Sequence, residues 1–281
     1  DFDIAFHNIR GNGLMQVHAI ALTEFYMQDV TIAAQAGLQM FTNSLEESRF
    51  GLYISGNLTY RLNGDFTLNG SVRSCLERNN LIDAVQFNPY ISNDAVIDYS
   101  YILPEFKANI LYHPNETFAL SGGIIFSLAD RTPVFVNQDT SSFKLEYLKT
   151  TKIGASLEGV VNLSGKDILI GNAGLEIATL NGGKKVPYSA LIKFSADYRR
   201  SWTERFGTQI GIMYLSERFV DLENINKLKG AFDLHCKADY IIVNNLKIYA
   251  KFENLLNNDI FVWNGYKEKG LFIAGGLLWQ F

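Results

Sequence analysis

From Phe50 to Leu62 the chain alternates strictly. Phe50, Leu52, Ile54, Gly56, Leu58, Tyr60 and Leu62 share one parity, and Gly51, Tyr53, Ser55, Asn57, Thr59 and Arg61 the other. A period of two describes a β-strand with one apolar and one polar face. Asn63-Gly64-Asp65 is a tight-turn signal, after which Phe66, Leu68, Gly70 and Val72 alternate with Thr67, Asn69, Ser71 and Arg73, so the two runs predict a hairpin. At 228–240, Leu228, Phe232, Leu234, Cys236, Ala238 and Tyr240 oppose Lys229, Asp233, His235, Lys237 and Asp239. Leu246, Ile248, Ala250 and Phe252 likewise oppose Lys247, Tyr249, Lys251 and Glu253. The C-terminus places Leu271, Ile273, Gly275, Leu277, Trp279 and Phe281 on one face of a last strand.

Carried along the chain, the pattern predicts fourteen strands, at 2–9, 14–27, 30–41, 49–62, 66–76, 99–112, 118–129, 148–163, 168–179, 188–199, 205–216, 228–241, 246–256 and 270–281. Connections alternate between short turns and long loops, the long ones at 77–98, 130–147, 180–187, 217–227 and 257–269. Short turns at one end, long loops at the other and strands of about 12 residues, enough to cross roughly 28 Å of hydrocarbon when tilted, predict a transmembrane antiparallel up-and-down β-barrel. The domain expectation is a single outer-membrane barrel over 1–281. Aromatics fall where two interfacial girdles belong: Tyr60, Tyr112, Phe118, Tyr198, Trp202, Phe206, Tyr240, Trp279 and Phe281 toward the short turns, and Phe50, Tyr101, Phe126, Tyr188, Tyr214 and Trp263 toward the long loops. A soluble β-sandwich also alternates, but its strands average only about 5 to 6 residues.

Composition narrows the function classes. The 281 residues are 47% apolar and 19% charged, which excludes a disordered chain. No apolar run approaches the roughly 18 residues of a membrane helix. A net charge of −4 from 25 basic and 29 acidic residues spread along the chain offers no basic face, so nucleic acid is not an expected partner.

The polar parity collects charge of both signs, and the expected lumen lining is Arg61, Arg73, Glu105, Lys107, Glu158, Lys193, Asp197, Asp233, His235, Lys237, Asp239, Lys247, Lys251 and Glu253. Mixed charge lets neighbouring strands pair across the wall and keeps a cavity wet without a strong ion bias. A closed barrel of fourteen strands has a backbone diameter of about 28 Å, too wide for side chains alone to fill. The loop 77–98 carries Leu81, Ile82, Val85, Phe87, Tyr90 and Ile91 and is too apolar for an idle solvated loop. Leu81, Ile82, Phe87 and Tyr90 are expected to form a lumen constriction or to dock a partner such as a surface lipoprotein, with a self-packed loop cluster as the structural alternative.

Enzyme and metal motifs are near-misses. Gly159 to Lys166 ends like a phosphate loop but has the wrong glycine spacing, and Asp167 replaces its Ser or Thr. Gly154-Ala155-Ser156-Leu157-Glu158 lacks the second glycine of a nucleophile elbow. The four histidines form no local pair, Cys75 and Cys236 no metal-ligand spacing, and Asp221, Glu223 and Asn224 no calcium-loop spacing. No catalytic residue, metal or cofactor is expected.

Phe252-Glu253-Asn254-Leu255-Leu256-Asn257-Asn258, then Trp263-Asn264-Gly265-Tyr266, Gly270 and a last strand ending in Phe281, resemble the C-terminus of TonB-dependent outer-membrane receptors. The resemblance covers roughly the last 30 residues well. It implies an outer-membrane location in a Gram-negative bacterium, the bilayer and the outer-membrane assembly machinery as partners, and Leu277, Trp279 and Phe281 as the membrane-insertion signal. Members of that family carry an N-terminal plug inside a 22-strand barrel and take energy through TonB. Neither plug nor energy-coupling segment is visible in these residues, so the chain is expected to be either the C-terminal part of such a receptor or a smaller barrel sharing its closing strands. The expected function is solute transport across the outer membrane. A non-transporting barrel that anchors a complex and a barrel hydrolase using His235 or Ser156 are the alternatives.

Overall fold

A computed structural model describes residues 2–3, 6–8, 15–42, 48–138 and 142–280, with side chains from Leu22 onward. Thirteen long strands form one antiparallel meander. They are β1 (Met15–Met27), β2 (Val30–Thr42), β3 (Ser48–Arg61), β4 (Phe66–Arg78), β5 (Tyr99–Asn115), β6 (Phe118–Asn137), β7 (Phe143–Ser164), β8 (Asp167–Leu180), β9 (Ile192–Ser201), β10 (Phe206–Leu215), β11 (Ala231–Val243), β12 (Leu246–Glu253) and β13 (Phe272–Trp279). Each pairs with the next in sequence, and the short segments Phe2–Asp3 and Phe6–Asn8 pair with β1 in place of one continuous first strand. The expected meander is present. Its expected closure is not: among the described residues no ladder joins β13 to the N-terminal strands, so the sheet is open.

Register explains why the meander is two-faced. Phe25, Ile32, Leu58, Gly70, Ala108, Ile124, Ala155, Leu175 and Ile192 are opposed in turn across β1 to β9, so one apolar row runs over most of the sheet. A one-residue slip in any strand would send its whole apolar set to the other face. The apolar face is left open: Phe50 is 78% and Ile124 65% exposed. An apolar surface of this extent is incompatible with water and matches a lipid-facing wall. No helix among the described residues is long and apolar enough to cross a membrane.

The short turns are closed by side chains acting on their own backbone. Asn63 Oδ1 accepts from the amides of Asp65 and Phe66, Asn115 Oδ1 from Thr117, and Thr203 Oγ1 from Arg205 and Phe206. The aromatic girdle at this end is present on the apolar face, where Trp202, Tyr240 and Trp279 are exposed and Phe66 stacks on Tyr112 with ring centroids 4.3 Å apart. Leu277 shares the exposed face with Trp279, whereas Phe281 lies outside the described residues.

At the long-loop end several expectations are corrected. The segment 130–147 is not a loop, because β6 and β7 continue their ladder from Thr132–Leu148 to Asn137–Phe143. A bulge between Ala129 and Thr132, with Arg131 at φ 60, lets both strands run on past the end expected for the first of them. The strand expected at 188–199 starts at Ile192 instead, with Tyr188 at φ 60 in the preceding loop, and the strand expected at 246–256 stops at Glu253. Loop 79–98 contains a helix, α1 (Leu81–Phe87), capped by Asn80, whose Oδ1 accepts from the Asp83 amide at 2.8 Å.

Candidate functional site

The strand pairings place all fourteen expected lumen residues on the face opposite the apolar rows. Arg61 and Arg73 lie on β3 and β4, Glu105 and Lys107 on β5, Glu158 on β7, Lys193 and Asp197 on β9, Asp233, His235, Lys237 and Asp239 on β11, and Lys247, Lys251 and Glu253 on β12. Much of their charge is paired. Glu105 takes Arg73 at 2.7 Å and Lys107 at 2.8 Å, Lys247 takes Asp239 at 2.7 Å, and Lys251 takes Glu253. His235 bridges two carboxylates, Asp233 from Nδ1 and Asp197 from Nε2, both at 3.2 Å, while Gln209 Nε2 donates to Asp197 at 2.6 Å. Gly211 makes room for this group, because a Cβ there would stand 2.3 Å from Asp197 Oδ1 and 2.4 Å from His235 Nε2. Both His235 nitrogens are engaged by carboxylates, and Ser156 sits on β7, four strands from β11 in the sheet order, so the two do not form a nucleophile–base pair.

The long loops converge over this polar face. Phe41, Leu76, Ile97 and Tyr99 form a buried cluster, and Ala84 of α1 packs on it. The far side of the helix region reaches an aromatic cluster drawn from four separate connections: Phe87 at the end of α1 and Tyr90 after it, Phe135 and Phe143 from the β6–β7 hairpin, Tyr188 from loop 181–191, and Trp263 and Tyr266 from loop 254–271. Tyr90 stacks on Tyr266 at 3.4 Å, and Trp263 is surrounded by Tyr188 at 4.6 Å, Phe143 at 5.2 Å, Phe135 at 5.3 Å and Phe87 at 5.6 Å. Trp263 is 4% and Phe143 0% exposed. Tyr188 and Trp263 therefore leave the lipid-facing girdle expected for them, because burial against other rings removes more of their surface from water than an interfacial seat would. Of the four residues expected to constrict or dock, Phe87 and Tyr90 touch the cluster, Phe87 with 65% of its surface still exposed, while Leu81 and Ile82 are exposed and outside it.

Polar groups lock the cluster. Arg218 is buried and donates from Nη2 to the carbonyls of Phe261 at 2.6 Å and Val262 at 3.1 Å, holding the small ladder Phe261–Trp263/Tyr266–Lys267. Burial lowers its pKa, but a guanidinium starts so far above neutrality that it stays charged. Tyr188 Oη donates to Asn137 Oδ1 at 2.5 Å, and burial pushes its phenol up to about 12, which keeps the donor proton in place at neutral pH. The asparagines of the closing motif staple loop 254–271. Asn254, at φ 49, donates to the carbonyls of Asn258 and Lys269 and accepts from the Asn258 amide, and its own amide reaches Asp233 Oδ1 at 2.7 Å. Asn257 Oδ1 accepts from Leu271. In the neighbouring loop 216–230, both Asp221 oxygens take amides, of Ile225 and Asn226, while Glu223 pairs with Lys184 and Asn224 bonds the backbone of Lys185. Asp221 thus folds its own loop, and Glu223 and Asn224 tie that loop to 181–191.

No family model matches the chain, and no curated protein matches it by sequence. Solved structures do match by fold. The copper transporter OprC superposes with a TM-score of 0.72 at 10% identity, over 95% of this chain and 47% of that one. The FrpB iron transporter of Neisseria meningitidis gives 0.72 at 13% identity over 95% and 45%, and the siderophore receptor PirA of Acinetobacter baumannii 0.72 at 11% over 95% and 46%. The chain has the fold of the TonB-dependent receptor barrel. It spans just under half the length of these receptors. This is a fold of Gram-negative outer membranes, and the structures that share it are transporters and receptors. In receptor-barrel terms, the apolar rows form the lipid face and the long loops the roof over the opposite face. Sequence periodicity found the wall residues. It missed the convergence of Phe135, Phe143, Tyr188, Trp263 and Tyr266 and the buried Arg218, for which the only local signal was the aromatic density of 257–269.

Proposed function

We propose that the chain forms the C-terminal part of the barrel of an outer-membrane transporter, which admits a solute and draws on an energy-coupling partner of the TonB type. The observation that carries this reading is the conjunction of a charged, self-paired sheet face with an apolar outer wall and a loop roof over one end. The charges from Arg61 to Glu253 line the path, and the aromatic roof excludes free diffusion at the loop end. Leu277, Trp279 and Phe281 form the insertion signal read by the outer-membrane assembly machinery. No step of covalent chemistry belongs to this reading. The copper and iron transport named for the structural neighbours makes copper and ferric chelates the first solutes to test.

The test is accumulation of radiolabelled metal chelates and a wider solute panel in cells expressing the full natural protein, its gene deletion, and a strain lacking TonB. Transport predicts that one solute class is lost on gene deletion and equally on loss of TonB. Unchanged accumulation of every solute, with the protein shown to be inserted, would replace this reading by that of a non-transporting anchor.

A further inference from the structure

Beneath the aromatic roof lies a cavity of about 260 Å³ whose walls differ in kind. Phe87, Phe135 and Tyr188 supply flat apolar surface at the loop end, and Lys152, Glu176 and Lys193 supply charge on the wall of β7, β8 and β9. Elsewhere on this face Lys107 pairs with Glu105, Lys247 with Asp239 and Lys251 with Glu253, while Lys237 lies over the Tyr249 ring. Lys152 and Lys193 make no ion pair among the described residues. Glu176 is the one carboxylate lining the cavity, and its Oε1 accepts the Ser189 hydroxyl at 3.0 Å. The cavity thus carries an excess of positive charge beside rings that favour stacking.

We propose that this cavity binds an aromatic carboxylate, or the aromatic-carboxylate portion of a larger solute, with its ring against Phe87, Phe135 and Tyr188 and its anionic group on Lys152 and Lys193. The class follows from the two walls. An ammonium–carboxylate hydrogen bond is charge-assisted and stronger than a neutral one, and a flat apolar body buries its faces on aromatic side chains at little entropic cost. The volume is near the lower end of small-molecule pockets, of about 300 Å³ upward, so it suits a small solute or one end of a larger one. The proposal names the substrate class of the transport path and rests on that reading for its role, although the binding itself does not.

Isothermal titration of the purified full-length protein in detergent with naphthalene-2-carboxylate tests it, using the neutral alcohol 2-naphthalenemethanol as the shape control. The carboxylate is expected to bind and the alcohol to bind at least about tenfold more weakly. Lys152→Gln and Lys193→Gln should each weaken the carboxylate by about tenfold, whereas Lys152→Arg and Lys193→Arg retain it and Lys229→Gln, on an exposed loop, leaves it unchanged. The Arg variants keep the test decisive if a Gln variant folds poorly. Equal affinity for acid and alcohol, or undiminished affinity in folded Gln variants, overturns the site. Loss of the site with metal-chelate uptake intact would leave the transport reading standing. Charge-selective binding without uptake of any solute would support the site while removing the transport reading.

Discussion

In the wall, Leu175 and Ile192 oppose each other on adjacent strands, and their neighbours are set by a ladder that repeats every two residues. In the roof, Tyr90 stacks on Tyr266 and Phe87 meets Trp263, although the pairs come from connections at opposite ends of the chain. The wall turns its apolar side chains outward, where Phe50 and Ile124 stay open, and its charges toward one another. The roof reverses this, burying Trp263 and Phe143 completely or nearly so and leaving Lys184 and Glu223 paired at the surface. Burial of apolar groups in the wall is supplied by lipid, while the roof must supply its own by bringing distant loops together. The roof therefore depends on a few large side chains, and the wall on the sum of many similar ones.

This contrast is sharpest at Trp263. Trp263→Ala removes the ring that four other aromatics contact and should cost about 3–5 kcal/mol of roof stability while leaving the strands intact. Hydrogen exchange should accelerate in 79–98, 181–191 and 254–271 and stay slow in β5 to β8. Loss of the entire sheet instead would show that roof and wall are one cooperative unit. Leu234→Arg places a charge on the lipid face of β11 and should cost about 2–4 kcal/mol near the bilayer midplane, whereas Lys237→Gln on the opposite face should stay within about 0.5 kcal/mol. Reversible unfolding by urea in lipid vesicles measures both, and equal tolerance would break the assignment of faces.

A smaller effect is expected at Gly211. Gly211→Val sets a side chain where Asp197 and His235 now meet and should destabilise by about 1–3 kcal/mol, read from the same urea transitions. The smallest is the acid response of loop 216–230. Partial burial works to raise the Asp221 carboxyl, but the Ile225 and Asn226 amides outweigh it and hold its pKa below the ordinary value. A depressed folded-state pKa means that this carboxylate's contribution is complete above the unfolded value of about 3.9 and is lost as pH falls through the folded one. The Ile225 and Asn226 amide resonances should shift in that acid window and not in Asp221→Asn.

Much of the wall was legible because a strand's side chains alternate whatever its neighbours are. Asn63-Gly64-Asp65 marked a turn by its own backbone chemistry, and the fourteen lining positions from Arg61 to Glu253 each fell on the polar parity of their own strand without any knowledge of pairing. Strand ends were less legible. Arg131 reads as the start of a loop until a bulge lets β6 run on to Asn137, and Tyr188 reads as strand until its ring is drawn into the roof. The Asn254 motif was recognisable as a pattern, but its work, bonding Asn258, Lys269 and Asp233 at once, shows only when three segments are in place.

The sequence by itself determined the two-faced meander, its turns and the charge of its polar face, because a period of two and turn chemistry are properties of neighbouring residues. Only the tertiary structure decided which loops meet, that Trp263 is buried with Arg218 holding the strand beside it, that His235 sits between Asp197 and Asp233, and that Lys152 and Lys193 share a cavity without ion-pair partners among the described residues. Those are contacts between positions far apart in the chain, set by sheet order and by which surfaces lipid leaves uncovered, and no local pattern encodes them.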